Sequence, residues 1–147
     1  MNVVIGADHG GFILKADLVE FLKEQGHAVR DVGTYSPEPS DYPDYARALA
    51  HFVLDGQADR GILICGSGVG ASVAANKIRG IRAVMAPTET IARYAREHNG
   101  ANVLTLGATL VSPDEARAIV TTWLTTPMRE PRYIRRLAKI RDLEDRD

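Results

Sequence analysis

The stretch "ILICGSGVGASVAANK", residues 62–77, runs as an apolar strand to the chain's one cysteine, Cys65, then places Gly66, Gly68 and Gly70 within five residues before settling into small helix formers. An apolar, β-branched run that breaks at glycines and re-forms as a helix is the strand-turn-helix half of a βαβ unit. Around Ser67 and Val69 the three glycines let backbone N–H groups converge without Cβ interference, and the helix that follows points its positive end at the same place. The loop reads either as a tight turn or as a nest for an anion or a developing oxyanion.

Outward from this stretch the same alternation repeats. Apolar runs at Asn2 to Ala7, His27 to Val32, Gly61 to Cys65, Arg82 to Ala86 and Asn102 to Leu106 predict five strands. They are continuously apolar, as expected for strands covered on both faces. Between them, Phe12 to Gln25 sets Leu14, Leu18, Phe21 and Leu22 on one side and stops at Gly26. A second helix is expected from "DYPDY" to Gly56, a third from the glycine loop, a fourth from about Thr88 to His98, and a fifth from Ser112, whose Ser-Pro-Asp-Glu run carries an N-cap, a first-turn proline and a capping-box Glu115.

This βα alternation predicts one α/β domain over residues 1–147: a three-layer, doubly wound, parallel five-stranded sheet of flavodoxin-like order 2-1-3-4-5. Residues 130–147 add a C-terminal helix beginning at Pro131, with Ile134, Leu137, Ile140 and Leu143 on a drifting apolar side. Such a helix packs on its own sheet or on a partner subunit. The segment "TYSPEPSDYP" reads as a surface excursion.

Composition narrows the function. With 45% hydrophobic and 25% charged residues and a net charge of −1, the chain is an ordinary globule without global attraction to nucleic acid or acidic membranes. One cysteine and four histidines, none at metal-ligand spacing, predict neither a disulfide framework nor a metal cofactor. No leader-like or membrane-spanning run is present in the sequence, and a cytoplasmic protein is expected.

In a doubly wound sheet the ligand lies beyond the carboxyl ends of the strands at the switch point, which makes "ADHGG" and "CGSGVG" neighbours. The spacing G-x-G-x-G-A after the third strand is not the dinucleotide fingerprint, although Asp31 stands where a ribose-binding acid would be sought. Cys65 is either a small core hydrophobe or a thiol base, and Ser67 either a turn hydroxyl or a proton relay. Asp8 and His9 end the first strand as a turn-forming pair or as substrate contacts. His98 and Asn99 complement and cap a helix end, or face a ligand. Arg129, Arg132, Arg135, Arg136, Lys139 and Arg141 crowd the last segment, and Arg132 and Arg136, four apart, share a helical face suited to a phosphate.

Taken together, "GADHGGF", "GTYSPEPSDYPDYA", "GILICGSGVGASVAANKIRGIRA", "REHNGANVLTLG" and "EPRYIRRL" resemble the ribose-5-phosphate isomerase B family, which includes galactose- and allose-phosphate isomerases, over nearly the full chain. The resemblance implies aldose-ketose isomerisation of a short sugar phosphate through an enediolate, without metal or nucleotide cofactor, in a homodimer or homotetramer with sites between subunits. It assigns Cys65 as the base between C1 and C2 and His98 as the ring-opening acid. Asp8, His9 and Asn99 become substrate contacts, Gly66, Ser67, Gly68, Val69 and Gly70 the enediolate loop, and Arg132 and Arg136 the phosphate binders. Some relatives carry a glutamate where this chain has Ala71, which leaves the cysteine-type mechanism. Thr109 stands where many relatives have arginine, so the sugar stays open among four-, five- and six-carbon phosphates. A non-catalytic phosphosugar- or nucleotide-binding module is the competing class.

Overall fold

The computed structural model describes residues 1–128 and 130–145, so Arg129 of the basic run lies outside the described residues. Five parallel strands, β1 (Asn2–Ala7), β2 (Ala28–Asp31), β3 (Arg60–Cys65), β4 (Ala83–Met85) and β5 (Val103–Gly107), form the sheet. Six helices alternate with and follow them: α1 (Phe12–Glu24), α2 (Tyr42–Leu54), α3 (Val69–Asn76), α4 (Glu89–Glu97), α5 (Pro113–Thr125) and α6 (Pro131–Glu144). The capping box at α5 forms as its residues dictate. Ser112 Oγ accepts from the Glu115 amide at 3.1 Å, and Glu115 accepts from the Ser112 amide at 3.0 Å.

Strand periodicity divides the core into two layers. Val3, Ile5, Ile62, Ile64, Leu104 and Leu106 face α1, α4 and α5, where Leu18, Leu22, Ala92, Ile119 and Trp123 close the layer. Val4, Leu63, Cys65 and Val103 face α2 and α3, against Ala46, Leu49, Ala71 and Ala75.

The strand order is β2-β1-β3-β5-β4, which corrects the expected 2-1-3-4-5. All five residues of β5 are buried, whereas β4 has three residues, two of them only partly buried. The fully buried strand takes the interior and the short one the edge. The chain therefore steps from β3 over to β4 through α3, then back to β5 through α4. Right-handed crossovers in opposite directions put their helices on opposite faces, and α4 accordingly joins the α1 and α5 layer. Chains leaving β1 and β5 turn to one face and the chain leaving β3 to the other, so the glycine loop is bracketed by two switch points.

Two further features bear on the site. Lys15, 2% exposed, donates to both carboxylate oxygens of Asp31 at 2.6 and 2.7 Å, and Asp31 also accepts from the Gly33 amide at 2.8 Å. The acid in the position of a ribose binder is thus committed to the fold. Helix α6 buries only Tyr133, leaving Ile134, Ile140 and Leu143 exposed, and is tied down by Glu144, which accepts from the Gly80 amide at 2.8 Å. Its apolar side does not cover its own sheet.

Removing Asp31 strands a buried ammonium. Asp31→Ala is expected to lower stability by ~3 kcal/mol, read as a fall in the urea midpoint at unchanged slope.

Candidate active site

The glycine loop is held by the end of β5. Ala108 donates its amide to Cys65 O at 2.9 Å, and Thr109 donates both its amide and its hydroxyl to Gly66 O, at 3.0 and 2.7 Å. Thr105, fully buried in an otherwise apolar strand, donates its hydroxyl to Gly68 O at 2.8 Å. Carbonyl and following N–H point in opposite directions across a peptide plane, so anchoring these carbonyls on β5 sends the Ser67 and Val69 amides the other way. The Val69 amide meets Ser67 Oγ at 3.2 Å. Among the described residues the Gly66 and Ser67 amides have no acceptor.

Gly68 sits at φ +78°, where a Cβ would come within 2.8 Å of Leu106 C, so glycine is a backbone requirement there. At Gly66 a Cβ would meet nothing within 4 Å. Packing does not ask for glycine at that position.

Cys65 ends β3 with its side chain turned toward the α2 and α3 layer, 4% exposed. Its sulfur is not sealed among hydrocarbon, because the Gly68 amide donates to Sγ at 3.1 Å. That donor and the start of α3 put positive potential at the sulfur. Ser67 is exposed, and its oxygen is the turn acceptor the sequence allowed, with the hydroxyl proton left to donate.

The loop after β1 lies against the glycine loop, a Cβ at Gly10 falling 3.1 Å from Gly66 N. Asp8, 6% exposed, accepts from the Gly10 amide at 2.9 Å through one carboxylate oxygen. The His9 ring is anchored through Nδ1, 3.1 Å from Ser40 N and 3.2 Å from Ser40 O, which leaves Nε2 as the free nitrogen. Ser40 belongs to the segment read as a surface excursion. The segment is largely exposed, as expected, and it also walls the site: Thr34 bonds back to Ala7, Ser40 holds His9, and the Tyr42 ring lies against Gly70.

His98, Asn99, Arg132 and Arg136 are not with this group. They lie at the amino-terminal edge of the sheet, where α4 ends, separated from Cys65 by the length of β5, about 16 Å at ~3.3 Å per residue. There Arg82 grips the turn through Asn99 O at 3.0 Å and Gly100 O at 2.9 Å. Burial, and secondarily Arg141, lowers the affinity of the Arg82 guanidinium for its proton. His98 is stacked between Tyr94 and Tyr133, with centroids at 4.8 and 4.7 Å. Arg132 pairs with Glu130 at 2.8 Å and donates to Tyr133 OH at 3.0 Å. Those contacts, the Tyr133 hydrogen bond first, raise its pKa above the usual guanidinium value.

Sequence reasoning passed over Thr105, Tyr42 and Tyr133. The threonine inside "VLTLG" was a legible signal, since a hydroxyl in a buried strand needs a partner. The tyrosines carried none.

A thiol, an open amide nest and an Asp-His pair meet on adjoining loops, groups whose chemistry suits proton transfer on a small polar molecule. The chain matches the Ribose/Galactose Isomerase family over residues 3–140 and belongs to that family. It is 45% identical to ribose-5-phosphate isomerase B of Escherichia coli, covering 99% of this chain and 97% of that one. It is 40% identical to D-erythrulose-4-phosphate isomerase of Pectobacterium atrosepticum over 84% and 82% of the two chains. The solved ribose-5-phosphate isomerase B of Clostridium thermocellum superposes with a TM-score of 0.96 at 46% identity, covering 98% and 97%.

Because no packing contact demands glycine at position 66, Gly66→Ala is expected to keep the thermal midpoint within a few degrees while kcat/KM falls about ten-fold or more. Paired calorimetry and steady-state kinetics check this.

Proposed function

We propose that the protein, as one sugar-phosphate isomerase domain spanning its residues, interconverts ribose 5-phosphate and ribulose 5-phosphate by proton transfer through an enediolate. The observation that carries this is the Cys65 sulfur beside the β5-anchored amide nest, in a chain alike end to end with enzymes named for that reaction.

The chemistry follows from the placement. The ring opens when His98 gives a proton to the ring oxygen as its bond to C1 breaks and the C1 hydroxyl proton passes to water. The Cys65 thiolate then takes the C2 proton, and the C–H electron pair forms the C1–C2 double bond. Negative charge appears on the C1 oxygen, where the Gly66 and Ser67 amides await it. The Ser67 hydroxyl relays the proton from the C2 oxygen to the C1 oxygen, and the thiol returns its proton to C1. Asp8, His9 and Asn99 hold substrate hydroxyls, and Arg132 and Arg136 hold the phosphate.

Since the two residue groups occupy opposite edges of the sheet, a complete site takes His98, Asn99, Arg132 and Arg136 from a second copy. The exposed Ile134, Ile140 and Leu143 of α6, with Val69 and Val73 of α3, supply apolar surface for that homodimer, itself able to pair into a homotetramer. Among the described residues no helix is long and apolar enough to cross a membrane, and we place the enzyme in the cytoplasm with its substrate.

A four-carbon substrate is a second reading. Thr109 spends its hydroxyl on Gly66 O rather than on a ligand, and the Pectobacterium relative is named for a tetrose phosphate. The ratio of kcat/KM for ribose and erythrose phosphates decides; ten-fold preference is ~1.4 kcal/mol of transition-state binding.

Cys65→Ala is expected to abolish exchange of the ribose 5-phosphate C2 proton with deuterated solvent, in the presence or absence of chelator. Mixing and refolding Cys65→Ala with His98→Ala is expected to recover ~25% of wild-type activity, because half of a two-fold symmetric population is mixed and each mixed dimer holds one intact site. Wild-type protein that exchanges no C2 proton sinks the reaction, and a mixture as inactive as its parents sinks the shared site.

A further inference from the structure

The geometry points to Tyr133 as a positioning residue that locks the ring-opening acid and the phosphate-binding arginines into one unit; this rests on the reaction proposed above. Tyr133 is the only residue of α6 that the fold buries, 9% exposed, and what it packs against is His98. The imidazole lies nearly parallel between two rings, inclined 13° to Tyr94 and 29° to Tyr133. Tyr94 lies on α4, one turn before His98, which caps that helix, and by itself leaves the other imidazole face open. Tyr133 closes that face and fixes the direction in which the ring nitrogens point.

The same tyrosine organises the arginines. Its hydroxyl accepts from Arg132 at 3.0 Å, and the Arg132 and Arg136 guanidinium carbons stand 4.9 and 5.9 Å from its ring centroid. Both cations are thereby held beside the same ring that stacks on the imidazole. Phosphate and ring oxygen belong to one substrate molecule, so a fixed spacing between their binders places the acid over the ring oxygen once the phosphate is seated. The hydroxyl and the ring do separable jobs. The hydroxyl orients Arg132, and the ring orients His98.

That division gives a test that folding defects do not imitate. Ribulose 5-phosphate has its terminal oxygen blocked by phosphate and cannot close a furanose, so exchange of its C1 proton with solvent reports proton transfer at Cys65 without ring opening. Consumption of ribose 5-phosphate reports both. With Tyr133→Leu, kcat on ribose 5-phosphate is expected to fall about ten-fold or more, while C1 exchange from saturating ribulose 5-phosphate stays within about two-fold of wild type. Tyr133→Phe keeps the stack and loses the hydroxyl; it is expected to restore kcat and to raise KM several-fold for both sugars.

Equal loss of turnover and exchange in Tyr133→Leu, or a kcat in Tyr133→Phe as low as in Tyr133→Leu, overturns the assignment. Absence of exchange in the wild-type protein instead refutes the isomerase reading itself, so the two failures are distinct.

Discussion

The clamp between the end of β5 and the glycine loop governs the site. Four donors from that end, the Ala108 amide, the Thr109 amide and hydroxyl and the Thr105 hydroxyl, take the carbonyls of Cys65, Gly66 and Gly68. Each anchored carbonyl turns the next amide outward. An amide nest is useful to catalysis only if its dipoles are already aimed before charge appears, because reorienting them during the reaction would return the stabilisation as reorganisation cost. The clamp removes that freedom.

It also explains the strand order. A glycine loop after β3 needs a neighbour whose own end reaches it, and the five-residue, fully buried β5 does so where the three-residue β4 could not. Placing β5 beside β3 requires the step out to β4 and back, which carries α4 to the α1 and α5 layer. The end of α4 then lies at the amino-terminal edge, with His98 and Asn99 on it. One packing preference thus both completes the nest and sets His98 and Asn99 at the other end of the sheet.

What lies at that far edge is cationic and aromatic. Arg60 caps the end of α5 through Trp123 O and Leu124 O, and burial followed by repulsion from Arg96 lowers its pKa to about 10. Arg82 holds the turn after His98, and Tyr133 joins α6 to it. The edge stacks the imidazole between two tyrosine rings and carries exposed apolar side chains along α6, Ile134, Ile140 and Leu143.

Much of this was legible in the residues. Every strand and helix of the alternation forms within a few positions of its expected bounds, since continuous apolar runs, glycine stops and the Ser112 capping box are local signals. The neighbouring of "ADHGG" and "CGSGVG" followed from the expected order that sets strand one beside strand three, a pairing the sheet keeps. The sequence did not carry the exchange of β4 and β5, the walling role of "TYSPEPSDYP", or the partners of Thr105 and Tyr133. Local chemistry determines which segments become strands, helices and turns, because those choices are settled within a few residues. Which strand lies beside which, and which side chain reaches which carbonyl or ring, depends on burial and reach across the assembled sheet, and only the tertiary structure decides it.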